Sequence, residues 1–193
     1  MTLRTTSPKQ TRAAAAAVAA LLRPGDVVAL SGELGAGKTC FVQGAASGLG
    51  IQTRVTSPTF VLMKTYPEGR VPVVHCDVYR LEFLCDVYDL GDELLAPDVV
   101  TFVEWGDAIT PLLPADRLEV DVSRAGRPNG GASGRAVNGA AAAQGAPSDA
   151  DASDPAILDA DGDRIVTLRA CGGWARRLPD LAVACDSWRD GVA

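Results

Sequence analysis

The eight residues Gly32-Glu33-Leu34-Gly35-Ala36-Gly37-Lys38-Thr39 have the composition and spacing of a loop that cradles phosphate, the Walker A pattern. Glycines let successive backbone N–H groups turn inward as an anion-binding nest, with no side chains in the way. The Lys38 ammonium is placed to meet β- and γ-phosphates, and the Thr39 hydroxyl is of the type that ligates Mg²⁺. Gly32, Leu34, Gly35, Ala36, Gly37, Lys38, Thr39 and Cys40 are the candidate nucleotide contacts. An ordinary glycine-rich turn is the competing explanation, and the flanking sequence disfavours it. An apolar run, Val27 to Leu30, precedes the loop, and helix formers from Lys38 to Leu49 follow it. A helix beginning there would aim its positive dipole end at the phosphates.

Phosphoryl chemistry also needs an acid to hold hydrated Mg²⁺ and a group to orient the attacking water. Asp77 and Glu104 each close an apolar β-type run, Val71–Cys76 and Val99–Val103. In open α/β sheets ligands sit at the carboxyl ends of strands, which would bring both acids beside the loop. Either acid alone could be a surface carboxylate; their joint occurrence makes them candidates for metal binding and catalysis, with Lys38. Ser57-Pro58-Thr59 reads equally well as a loop that orders around the γ-phosphate and as a proline-anchored turn. His75 is the single histidine and falls inside an apolar run, which favours a hydrogen-bonded structural role over that of a base. For Trp105, packing and surface contact remain open. Asp159-Ala160-Asp161-Gly162-Asp163 lacks the other ligands and flanking helices of a calcium loop and is set aside.

The elements that must position these groups are legible in outline. Thr11 to Leu22 is alanine-rich and stops at Arg23-Pro24-Gly25, a helix with its terminator. Strands are expected at Val27–Leu30, Phe60–Tyr66, Val71–Cys76, Val99–Val103, Leu118–Val122 and Arg164–Leu168. A short helix is expected around Leu81, Leu84 and Tyr88, and a C-terminal segment carries Trp174 and Leu178. Between Arg124 and Asp163 the composition shifts to Ala, Gly, Asp, Ser, Asn and Pro, with almost no large apolar side chains. Such a stretch cannot bury enough surface to offset its ordering entropy. The expectation is one α/β domain, residues 1–123 plus 164–193, a central β-sheet flanked by helices, interrupted by a disordered insertion at 124–163.

Charge and cysteine content narrow the function classes. With 18 Lys plus Arg against 24 Asp plus Glu, the formal charge is −6. Independent nucleic-acid binding normally requires a basic face, and no run of Lys or Arg supplies one. DNA binding is therefore not expected, and RNA would have to be held by a partner. Five scattered cysteines without a CxxC pair argue against a disulfide framework or a zinc site. No secretory or membrane-spanning segment is legible, so a soluble cytoplasmic protein is expected.

Four motifs in series carry a family resemblance. Gly32–Thr39, then Thr56-Ser57-Pro58-Thr59-Phe60, then His75-Cys76-Asp77-Val78-Tyr79-Arg80-Leu81, then Val103-Glu104-Trp105 resemble the TsaE (YjeE) family of bacterial ATPases of tRNA threonylcarbamoyladenosine biosynthesis. The resemblance covers about Thr5 to Val122 and resumes at Arg164 to Leu168. It implies a P-loop NTPase fold, ATP and Mg²⁺ as ligands, and association with a TsaB–TsaD-like complex that carries out the transfer onto tRNA. By position, Lys38 matches the phosphate-binding lysine and Thr39 the Mg²⁺-ligating threonine. Glu104 stands where the family has its acid for Mg²⁺ and water, and Asp77 where it has its other essential acid. The family's adenine contacts fall near Thr11, and a basic contact near the last strand could be Arg164 or Arg127. The 124–163 insertion departs from the family pattern.

Two other function classes fit the same loop. A small-molecule kinase would need an arginine-bearing lid, and Arg80 is the only obvious arginine near a motif. A nucleotide-gated binding module with negligible hydrolysis would keep Lys38 and Thr39 while leaving Glu104 a structural role.

Overall fold

The computed structural model describes residues 1–79, 94–125 and 162–189. The helix expected around Leu81–Tyr88, most of the 124–163 segment and Arg127 lie outside the described residues. The described chain forms one seven-stranded sheet: β1 (Thr2–Thr5), β2 (Val27–Ser31), β3 (Met63–Tyr66), β4 (Val73–Asp77), β5 (Val100–Glu104), β6 (Arg117–Arg124) and β7 (Arg164–Cys171), in the order β1-β7-β6-β2-β5-β4-β3. The centre is parallel, β2 lying between β6 and β5 with β4 beyond β5. Both margins are antiparallel, through β3 on β4 and through β6–β7–β1. Strands β2, β4 and β5 are buried along nearly their whole length, which explains why they read as continuous apolar runs rather than as alternations.

Helices α1 (Pro8–Ala19) and α2 (Lys38–Gly48) cover one face. Val28, Leu30, Val73, Val100, Phe102, Leu118 and Val120 meet Ala14, Ala15, Val18, Phe41, Val42 and Ala45 there in the larger core cluster. The opposite residues of the same strands, Val27, Ala29, Val74, Cys76 and Val103, pack on Ile109 and Leu113 from a 3-10 segment, Gly106–Leu112, and its exit. The alanines are therefore contact residues. Small side chains let the two helices cross closely, and at Gly44 a Cβ would overlap the Arg12 carbonyl of α1.

Helix α1 starts three residues before the expected Thr11. Ser7 accepts from Gln10 N–H at 3.3 Å, Gln10 Oε1 accepts from Thr6 N–H at 2.9 Å, and Pro8 sits in the first turn. Those are helix-start devices of the capping-box type, reaching beyond the alanine run. Strand β3 is shorter than the expected Phe60–Tyr66. The chain turns through Pro58–Val61, Val61 N–H donating to Pro58 O at 2.9 Å, and Leu62 has φ 62°, which breaks extension. Strand β1 has only four residues, too short for a periodic signal; pairing with β7 defines it.

Strand β6 continues through Arg124, opposite Arg164 of β7, and Ala125 N–H donates to Asp163 O at 2.8 Å. The strands on either side of 126–161 are thus immediate neighbours in the sheet. The C-terminal segment, including α3 (Leu178–Ala184), is tied down by Asp26. That carboxylate accepts from Trp174 Nε1–H at 3.1 Å, from Arg23 N–H at 2.7 Å and from the Arg177 guanidinium.

Candidate functional site

The loop after β2 adopts the backbone that the glycines permit. Gly32, Gly35 and Gly37 have φ of 130°, 72° and 116°, values that L side chains rarely adopt. At Gly32 a Cβ would also overlap the Val122 carbonyl of β6, so the loop can lie flat on the sheet's end only with glycine there. Helix α2 begins at Lys38, and Phe41 N–H closes its first turn on Gly37 O at 2.9 Å. Leu34, at the loop's tip, is 56% exposed, whereas Ala36, Lys38, Thr39 and Cys40 are buried.

Lys38 folds back over the loop. Its Nζ donates to Gly32 O at 2.8 Å and to Glu33 O at 3.0 Å, and stands 3.7 Å from the centroid of the Trp105 ring. Burial holds the Lys38 pKa below its ordinary 10.5, with Glu104, then Asp77, opposing that shift. Trp105 has φ 61°, and this left-handed residue after β5 turns the indole to where the ammonium meets its face. The Tyr79 ring lies 4.9 Å from it, tilted by 37°. Of the two openings left for Trp105 by the sequence, the packing role is filled by these contacts.

The two acids come together because β4 and β5 are parallel neighbours in register, Asp77 opposite Glu104. Glu104 Oε1 accepts the Thr39 hydroxyl at 2.7 Å, joining the head of α2 to the end of β5. The same oxygen lies 2.9 Å from His75 Nε2. Asp77 has a different set of partners. Its Oδ2 accepts from Ser57 at 2.9 Å and from Thr59 at 2.6 Å, and its Oδ1 accepts from Tyr79 N–H at 3.1 Å. Asp77 therefore organises the Ser57-Pro58-Thr59 loop, joining two motifs that sequence left separate.

Two arginines support the loop from the far side. Arg164, 1% exposed, donates from Nε to Ala36 O at 3.1 Å and from its terminal nitrogen to Gly162 O at 3.0 Å. Its cross-strand partner Arg124 donates to Gly35 O at 3.0 Å. Gly37 must lack a Cβ for this packing, since one would stand 2.9 Å from Arg164 Nε. Thr11 is buried, its hydroxyl shared with Thr5 at 2.8 Å and Ser7 O at 3.2 Å. It lies in the α1 turn whose Pro8 carbonyl meets Cys40 Sγ at 3.5 Å, so α1 begins beside the head of α2.

The oxygens of Thr39, Glu104 and Asp77 are hard donors of the kind Mg²⁺ takes. Among the described residues no group of three or more His, Cys, Asp or Glu forms a metal cluster. Sequence reasoning missed the pairing of His75 with Glu104 and the stacking of Trp105 on Lys38. The single signal available was that each lies two or fewer residues from a motif acid.

A buried parallel strand, a glycine nest and a Lys-Thr helix start at the sheet's carboxyl end define a P-loop NTPase-like α/β protein. A family model described as threonylcarbamoyl adenosine biosynthesis protein TsaE matches residues 5–130, and the chain belongs to that family. A Bacillus subtilis (strain 168) protein described as tRNA threonylcarbamoyladenosine biosynthesis protein TsaE is 48% identical over 124 residues, 64% of this chain and 77% of that protein. One of Streptomyces coelicolor, described alike, is 46% identical over 111 residues, 56% of this chain and 75% of that protein. A crystal structure of Bacillus subtilis YdiB superposes with a TM-score of 0.65 at 32% identity, covering 95% of this chain and 94% of that one. Among the described residues no helix is long and apolar enough to cross a membrane.

Proposed function

We propose that this chain binds Mg·ATP in the Gly32–Thr39 loop and hydrolyses it to ADP and phosphate, in support of threonylcarbamoyladenosine formation on tRNA. The observation that carries the reading is the Thr39–Glu104 hydrogen bond, which sets an acid against the head of the phosphate-loop helix. Family membership supports the tRNA-modification context. The acidic balance of the chain supports an indirect role, through a TsaB–TsaD-like complex that itself holds the tRNA.

In this reading the loop amides and the α2 N-terminus take the phosphate oxygens, and Lys38 adds one ammonium charge beside the terminal phosphates. Mg²⁺, held beside Thr39 and Glu104, would neutralise charge on the β- and γ-phosphates. Glu104 would be the acid that helps hold the ion, because it is bonded to the Thr39 hydroxyl, whereas Asp77 is bonded to the loop hydroxyls and Tyr79 N–H. With Oε1 engaged by Thr39 and His75, Glu104 presents Oε2 to orient water. The water oxygen bonds to the γ-phosphorus as the bond from that phosphorus to the bridging oxygen breaks. ADP and inorganic phosphate leave, and one proton passes to solvent. Asp77 holds Ser57 and Thr59 at the same edge, where a loop can respond to the terminal phosphate.

The test has two arms. Phosphate release by the pure chain, alone and with its TsaB–TsaD-like partners, should be slow alone and rise with them; no release in either condition refutes the ATPase. Cells lacking the gene should lose threonylcarbamoyladenosine from their tRNA by mass spectrometry; undiminished modification refutes the pathway role.

A further inference from the structure

We infer that His75 is a positioning residue for Glu104, fixing the carboxylate for water orientation from inside the sheet. This rests on the ATPase reading above.

His75 lies in the middle of β4, wholly buried, with the same sheet face as Asp77, Phe102 and Glu104. A histidine kept there for packing alone would be a poor choice, since an apolar side chain would leave no polar atom to satisfy. The pattern of satisfaction is one-sided. Nε2 stands 2.9 Å from Glu104 Oε1, whereas Nδ1 has no hydrogen-bond partner among the described residues. A carboxylate accepts, so Nε2 carries the proton in this contact, and the bare Nδ1 is the nitrogen that the core tolerates. The site thus accepts an unsatisfied acceptor at one nitrogen and keeps the bond at the other.

The consequence concerns one oxygen. Glu104 Oε1 receives two donors from different elements, Thr39 at the head of α2 and His75 from β4. Two donors from separate elements on one oxygen restrain both the rotation of the carboxylate and the direction of Oε2. Thr39 is the weaker guide, because its hydroxyl can rotate; the imidazole is held rigid by the sheet. Loss of the His75 bond would leave Glu104 present and ionisable but free to turn, with little change in the phosphate nest.

His75→Leu and His75→Gln separate this role from a packing role. Glutamine can place an amide N–H where Nε2 stands, and leucine cannot. The leucine variant should lower kcat for ATP hydrolysis by roughly 10–100-fold, the usual effect of losing a partner that orients an essential ligand. Its Kd for ATP should stay within about twofold. The glutamine variant should recover most of kcat. Because the chain has a single histidine, ¹⁵N-imidazole NMR of the wild-type protein without nucleotide reads the tautomer directly. The proton is expected on Nε2. A proton on Nδ1 alone overturns the inference, as does wild-type kcat in the leucine variant, or equal loss in both variants. A tautomer as expected in a chain with no ATPase activity, alone or with partners, would refute the hydrolysis reading and the positioning role with it, while leaving the contact itself established.

Discussion

Replacing Glu104 with alanine tests the centre of the site. The carboxylate is 3% exposed and accepts two hydrogen bonds at Oε1, from Thr39 at 2.7 Å and from His75 at 2.9 Å. Bonds to an ionised acceptor contribute about 1.5–3 kcal/mol each, and their loss leaves two buried donors unmatched. Against that, the variant no longer buries a carboxylate, and the Thr39 hydroxyl can turn back to a carbonyl of the preceding turn. The balance is a loss of roughly 2 kcal/mol, a fall in Tm of about 4–8 °C for a domain of this size. Catalysis should suffer separately. Without a group to orient water, hydrolysis should fall at least about tenfold, equivalent to ~1.4 kcal/mol in the barrier. Nucleotide affinity should persist, because the glycine nest, the α2 N-terminus and Lys38 remain. Phosphate release and calorimetric binding, both measured well below the variant's Tm, separate the effects. Equal hydrolysis in variant and wild type would refute the reasoning and favour a nucleotide-gated binding module.

Lys38→Ala should weaken ATP binding itself, more than ADP binding, in calorimetric titrations at fixed salt; unchanged ATP affinity would contradict the pocket. The lowered Lys38 pKa adds a pH signature. Below that value the ammonium is present and binding is full, and as pH rises through it the charge and the affinity are lost, earlier than for a free lysine and not at all in Lys38→Met. Stability moves the opposite way in the window up to 10.5, where the unfolded chain binds the extra proton, so this group's contribution to folding improves as pH rises. Gly44→Ala should lower Tm substantially, by several degrees, because its Cβ would overlap the Arg12 carbonyl and force α1 off α2; wild-type Tm would show the crossing to be looser. Burial pushes the Cys76 thiol up to about 12 and Cys185 up to about 11, so at pH 8 both are almost entirely protonated. Iodoacetamide followed by peptide mapping should leave both unmodified in the native protein and label them only after unfolding.

The sequence by itself determined the local chemistry. The Gly32–Thr39 spacing requires positive φ at glycine positions whatever the surroundings, and that backbone is observed at 32, 35 and 37. Buried parallel strands need apolar side chains on both faces, so β2, β4 and β5 were legible as runs, each within two residues of its observed bounds. Asp77 and Glu104 were legible for the same reason, as the first acids after such runs. Tertiary structure decided what each acid does. Nothing in the order of residues says that β4 and β5 are neighbours in register, that Thr39 meets Glu104 while Ser57 and Thr59 meet Asp77, or that His75 turns one nitrogen towards Glu104. Arg164 shows the same division. The resemblance made it one of two candidates for a basic contact near the last strand; tertiary structure sets its guanidinium against Ala36 O of the loop, because β7 pairs with β6 although the two are far apart in sequence. Residue types fix which bonds a side chain can make. Which partner it meets depends on strand order and register, and those are set by contacts far apart in sequence.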